Sequence, residues 1–207
     1  SDLIIPLISV YTFILYVYFV KILMTSQWPK GLVSHLVLWY SSISVGVIFL
    51  ISPILKDNPV GRIFKNLYPK IIIPILAMMF VSIGIRINQY GITENRYYVV
   101  LLGVWVLGIM LYYSITKKTK NIIVPITLSL VILLAILGPL SSFSFAIGSQ
   151  NSRFDEILLE NNMLVDDAIV ANTSIPSESK KEITNIINYF ETYHQFEDLK
   201  SLPENFT

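Results

Sequence analysis

The chain has 207 residues, of which 54% are hydrophobic and 14% charged, against about 25% charged in a typical soluble domain. A soluble fold of this size has too much surface for so few charges, and a mean hydropathy of +0.63 points the same way. The net charge of +1 conceals two regions of opposite sign: residues 1–148 hold eleven Lys or Arg and three Asp or Glu, residues 149–207 four and eleven, an asymmetry that divides the chain.

A bilayer core about 30 Å thick is crossed by about 20 apolar residues in a helix. Five stretches answer to that requirement. Leu3–Met24 is interrupted only by Lys21, whose long side chain can reach the interface. Val33–Leu55 carries no charge beyond His35. Ile71–Ile85 is shorter and lies between Lys70 and Arg86. Tyr97–Thr116 and Ile122–Ile147 are uncharged, and Gly138-Pro139 is a point where the fifth helix kinks or ends. Pro6, Pro53, Pro74 and Pro125 fall near run ends. Trp28, Tyr68, Tyr90, Tyr97, Tyr98, Tyr112 and Tyr113 gather near the boundaries, as interfacial aromatics do. Trp39 and Trp105 lie deeper and are assigned to packing.

Short connections make neighbouring helices antiparallel. Lys56, Arg62, Lys65, Lys70, Lys117, Lys118 and Lys120 outnumber Lys21, Lys30, Arg86, Arg96 and Arg153 on the other side. The excess of basic residues in cytoplasmic loops then leaves residues 149–207 outside the cytoplasm. The chain lacks an initiator Met and a secretory leader pattern, and is expected to be a piece of a longer protein.

The acidic tail contains its own folding signals. Arg153–Asn162 reads as a short helix with Phe154, Ile157 and Leu158 on one face. Ala168-Ile169-Val170 reads as a short strand or an extended linker. Ser179 and Glu182 have the spacing of a capping box, with Pro176 at the start of the same helix and Ile183, Ile186, Ile187 and Phe190 at helical intervals.

The search for chemistry is mostly negative. There is no cysteine, which excludes disulfides and thiolate chemistry. No nucleotide-binding loop, hydrolase elbow or zinc-protease motif occurs. His35 and His194 stand alone in sequence and read as structural. No Asp or Glu lies inside a spanning run, which weighs against an ion-coupled pathway in this region. Two Asn-x-Ser/Thr triplets, at Asn172 and Asn205, carry no weight.

One constellation remains, between the third and fourth runs: Arg86, Gln89, Tyr90, Glu94 and Arg96 around Gly91. Arg86 and Tyr90 share a helix face, Gly91 suits the left-handed residue that ends a helix, and Glu94 is placed to pair with Arg86 or Arg96. The segment is either a polar site at the mouth of the bundle or a stapled turn, the latter favoured, with Arg86 meeting Glu94, Tyr90 or the last carbonyls of the helix.

The same segment carries a resemblance. Gly84-Ile85-Arg86, Gln89-Tyr90-Gly91, Thr93 and Arg96, with Leu23 and Trp28-Pro29-Lys30-Gly31 upstream and Gly138-Pro139 downstream, resemble an uncharacterised bacterial membrane family, domain of unknown function 4153. The resemblance covers most of residues 1–165. Glu94 stands where members often carry Pro. It implies a bacterial inner-membrane protein and supplies no activity.

The reading is therefore all-α: a polytopic transmembrane bundle of about five helices over residues 1–148 and a small, mainly helical acidic domain over 149–207. Its function is expected to be non-enzymatic, anchoring an extracytoplasmic module that senses, binds or scaffolds at the cell envelope. The lipid bilayer and an envelope protein are the expected partners, with no cofactor, metal or nucleic acid. The alternative is a transporter or channel subunit whose pathway uses other helices.

Overall fold

The computed structural model describes residues 4–25, 32–52, 59–116, 119–165 and 168–203. Trp28, Pro53, Lys56, Lys117, Lys118, Asn205 and the Trp28–Gly31 motif lie outside the described residues. The helices are α1 (Ile4–Thr25), α2 (Leu32–Ile51), α3 (Pro59–Tyr90), α4 (Glu94–Ile115), α5 (Ile123–Ile136), α6 (Ser142–Glu160) and α7 (Ser177–Tyr193). A two-stranded hairpin, β1 (Leu164–Val165) and β2 (Ala168–Ile169), pairs antiparallel with Leu164 opposite Ile169. The all-α expectation holds, with the short strand read at Ala168 as half of that hairpin.

Among the described residues, three helices are long and apolar enough to cross a membrane, within α1, α3 and α4. The apolar parts of α2 and α5 are shorter, Ser34–Leu50 and Ile123–Ile136. At about 1.5 Å per residue, the 14 residues of α5 reach only about 21 Å. The run expected to continue to Ile147 is broken after Ile136: Gly138 takes φ +76°, and Ser141 caps a new helix by accepting from the Ser144 amide. In contrast α3 is longer than the run Ile71–Ile85 and passes through Pro69 and Pro74. Within α3 the Tyr16 hydroxyl of α1 donates to the Ile71 carbonyl at 2.6 Å.

The chain forms two compact units, residues 1–86 with 98–135, and residues 87–97 with 136–207. The boundary expected at 148/149 falls inside α6.

In the first unit the helices alternate in direction. Ser34 meets Ser82 and Ser44 meets Tyr68, so α2 and α3 run antiparallel. A Cβ on Gly103 would meet Met79 and Phe80, while Lys65 lies over the Tyr113 ring, so α3 and α4 do the same. Trp105 donates to Thr127 and Tyr112 accepts from the Lys120 amide, which orients α5 against α4. Ile48, Ile72, Leu76, Met79, Val106 and Met110 are buried between helices, whereas Leu7, Phe13, Leu50, Ile115, Leu130 and Leu133 face outward. An outward apolar surface on this scale is what lipid contact requires. Trp105 is buried as expected, but Trp39 is 64% exposed and belongs to the outer surface.

The second unit has its own core of Phe154, Ile157, Leu158, Ile186, Phe190 and Leu199, with Ile183 and Ile187 packed against it. Both faces read from the tail sequence are thus the buried ones. The capping box is not formed: α7 begins at Ser177 with Pro176 as its N-cap and no side-chain cap bond. Glu182 instead accepts from Arg153 of α6 at 2.9 Å. Asn151 ties the 3-10 turn Phe196–Asp198 to α6, donating to the Asp198 carbonyl and accepting from the Lys200 amide, both at 2.8 Å.

Candidate functional site in the second unit

The segment joining α3 to α4 is three residues long, Gly91 to Thr93. Gly91 has φ +69°, a conformation that costs an L-residue about 1–2 kcal/mol. A Cβ there would also lie 2.9 Å from Gln150 Nε2 and 3.2 Å from Ser149 Oγ. Both neighbours belong to α6 and bond the turn. Gln150 Nε2 donates to the carbonyls of Tyr90 (3.1 Å) and Ile92 (2.9 Å), and the Ile92 amide donates to Ser149 Oγ at 2.7 Å.

Arg96 completes the turn. Its Nη1 donates to the carbonyls of Tyr90 at 3.1 Å and Gly91 at 2.6 Å, and its guanidinium lies 5.7 Å from the Tyr90 ring centroid. The helix-end carbonyls are therefore satisfied by Arg96, the role expected of Arg86. Arg86 is half-buried on α3, and no hydrogen bond or ion pair joins it to another described residue. Gln89 is exposed.

Glu94, the first residue of α4, is engaged elsewhere. Both of its carboxylate oxygens accept from the Tyr189 hydroxyl at 2.7 Å, and Oε1 lies 2.7 Å from His194 Nε2. An ionised carboxylate only accepts, so His194 Nε2 carries a proton, which the Tyr189 oxygen at 2.9 Å also receives. The His194 side chain is 5% exposed and that of Glu94 17%. Burial, then the Glu94 hydrogen bond and charge, hold the Tyr189 hydroxyl well above its ordinary range, so it stays a donor. His194, alone in sequence, is thus paired; the 100-residue separation leaves no short-range signal that could have revealed it.

Two adjoining clefts share Thr93 and Tyr189. One, about 250 Å³, is lined by Thr93, Glu94, Asn95, Phe143, Tyr189 and Tyr193. The other, about 140 Å³, is bordered by Arg96, Gln150, Arg153 and Glu182, the last two ion-paired at 2.9 Å. No group of three His, Cys, Asp or Glu suited to a metal occurs among the described residues. The arrangement holds a carboxylate, a phenol and an imidazole in one hydrogen-bonded cluster at the wall of an aromatic cleft.

Membrane-length apolar helices and a small helical unit with its own core define a helical membrane protein. The chain belongs to the family described as Domain of unknown function (DUF4153), whose profile matches residues 3–173. It is 28% identical over 195 residues to an uncharacterised protein of Pasteurella multocida (strain Pm70), covering 94% of this chain and 33% of that relative. The chain thus spans about a third of that relative's length. No solved structure matches it.

Proposed function

We propose that the chain is part of a multi-pass protein of the bacterial inner membrane, with the second unit outside the cytoplasm as a non-enzymatic module that binds or senses a ligand. The observation that carries this reading is the double position of Glu94. It is the first residue of a helix long and apolar enough to cross a membrane, and its carboxylate is held by Tyr189 and His194, near and just past the end of α7. Occupancy of the adjoining cleft changes the partners of Glu94, and so the order of the first turn of α4. Chemistry on a substrate is not needed for such a module, and the cluster has no activated nucleophile: Tyr189 is held protonated.

Two measurements test it. In a Tyr189→Phe/His194→Gln variant, amide hydrogen exchange at Glu94–Tyr97 is expected to accelerate; exchange identical to the parent would overturn the coupling. The chain has no cysteine, so Asn188→Cys, on an exposed position of α7, gives a single label. Modification by a membrane-impermeant maleimide in intact spheroplasts is expected, and modification only after lysis would overturn the location.

A further inference from the structure

The larger cleft contains more aromatic surface than the hydrogen bonds of Glu94 require. Three of its six lining residues are aromatic, and no Lys or Arg is among them. Phe143 and Tyr193 are 54% and 69% exposed. The rings form a connected set: Tyr193 lies 5.7 Å from Tyr189, Tyr189 5.1 Å from His194, and Phe143 meets His194 edge-on at 6.1 Å. Glu94 stands beside them with both oxygens already accepting. The Tyr189 hydroxyl and His194 Nε2 orient that carboxylate at the wall of the cleft. Arg96, two residues further along the chain, commits its Nη1 to the carbonyls of Tyr90 and Gly91.

Ring faces and a carboxylate share one electrostatic preference. Aromatic faces are negative and attract cations within about 6 Å, which is how quaternary ammonium groups are recognised. An anion would meet Glu94. A bare divalent ion would need several oxygen ligands, usually with more than one carboxylate, and Glu94 is the one carboxylate in the cleft lining. At about 250 Å³ the cleft lies below the roughly 300–1,000 Å³ usual for drug-sized ligands, so its occupant is small. We infer that this cleft binds a small organic cation, a quaternary or primary ammonium of about the size of choline, with Tyr189, Tyr193 and Phe143 around the ammonium and Glu94 supplying the opposite charge. The inference rests on the ligand-binding reading above and names the ligand class.

The test uses the full chain in phosphatidylglycerol nanodiscs, titrated calorimetrically with choline chloride, tetramethylammonium chloride and 3,3-dimethyl-1-butanol, the uncharged carbon analogue of choline. Saturable binding of both cations and none of the alcohol is expected. Tyr193→Leu, which changes an exposed ring, is expected to weaken choline about fivefold, consistent with about 1 kcal/mol for one cation–π contact. Glu94→Gln is expected to weaken it tenfold or more, in a variant whose helix content is verified by circular dichroism. Equal binding of the alcohol, undiminished binding in Tyr193→Leu, or no saturable binding of either cation up to about 10 mM, an affinity of only about −3 kcal/mol, would overturn the inference. Replacing phosphatidylglycerol with phosphatidylethanolamine separates two sources: competition with choline points to a lipid headgroup, and unchanged affinity to a free amine. Absent cation binding with the hydrogen-exchange coupling intact would remove the ligand class alone. Absent coupling would remove the reading beneath it.

Discussion

Glu94 and Tyr189 are separated by 95 positions in the chain and meet through hydrogen bonds of 2.7 Å to both carboxylate oxygens. The contact fastens the first residue of α4 to the last turns of α7. Removing the acceptor leaves a hydroxyl and a nearly buried imidazole without their partner, and an unsatisfied buried polar group costs about 1–3 kcal/mol. Glu94→Ala is therefore expected to destabilise the second unit by about 2 kcal/mol, and Tyr189→Phe by about 1 kcal/mol, measured by denaturant titration followed at the unit's amide signals. A Glu94→Ala unit as stable as the parent would show that the cluster contributes nothing.

The same hydroxyl predicts an alkaline limit. Its ordinary pKa is near 10, and burial beside Glu94 raises it in the folded state. The folded protein thus retains a proton that the unfolded chain releases above pH 10, and unfolding becomes easier as pH rises. Stability from this group is complete below about pH 9 and declines above about pH 10. Melting temperature across pH 8 to 11 should show that decline, reduced in Tyr189→Phe.

Gly91 combines a left-handed backbone with close approach by α6. Gly91→Ala is expected to cost about 1–2 kcal/mol from the backbone alone, with a further loss because Gln150 must withdraw from the Tyr90 and Ile92 carbonyls. Substituting Gln150 with Ala removes only those bonds and should cost less. Thermal unfolding of the two variants gives the ranking, and a Gly91→Ala melt at the parent's temperature would contradict the geometry.

Arg96 and Arg86 should separate in the same assay. Arg96 donates to two carbonyls at the end of α3, and hydrogen bonds with a charged donor contribute about 1.5–3 kcal/mol, less where water competes. Arg96→Ala is expected to lower the melting temperature by several degrees and Arg86→Ala by less. The reverse order would return the capping role to Arg86.

What sequence reasoning recovered follows from periodicity. Ile183, Ile186, Ile187 and Phe190 recur at helical spacing, and a 17-residue helix does bury Ile186 and Phe190 and pack Ile183 and Ile187 against the core. The apolar runs were legible because a bilayer imposes a length as well as a composition. Two errors had local causes. Gly138-Pro139 was legible as a kink or an end of the fifth helix, and the helix does end at Ile136, but apolar residues on both sides hid the start of a new helix at Ser142. Ser179 and Glu182 had the right spacing for a cap, but Arg153, 29 residues upstream of Glu182, competed for the carboxylate. The site itself was half legible. Tyr90, Gly91, Glu94 and Arg96 lie within seven residues and stood out together. Ser149, Gln150, Tyr189 and His194 reach the same place only through tertiary folding, and a single sequence carries no mark of contacts at such separations.

The turn between α3 and α4 has a consequence for the order of assembly on the ribosome. Its amide and carbonyl partners, Ser149 and Gln150, follow it by 57 to 60 positions. At about 5–20 residues per second, those partners are polymerised about 3–12 s after the turn has been made. During that interval α3, the turn and α4 exist as a nascent hairpin whose polar loop is served by water and Arg96. The helical pair is therefore delivered first, and its loop is locked afterwards by a helix that the translation machinery has still to produce.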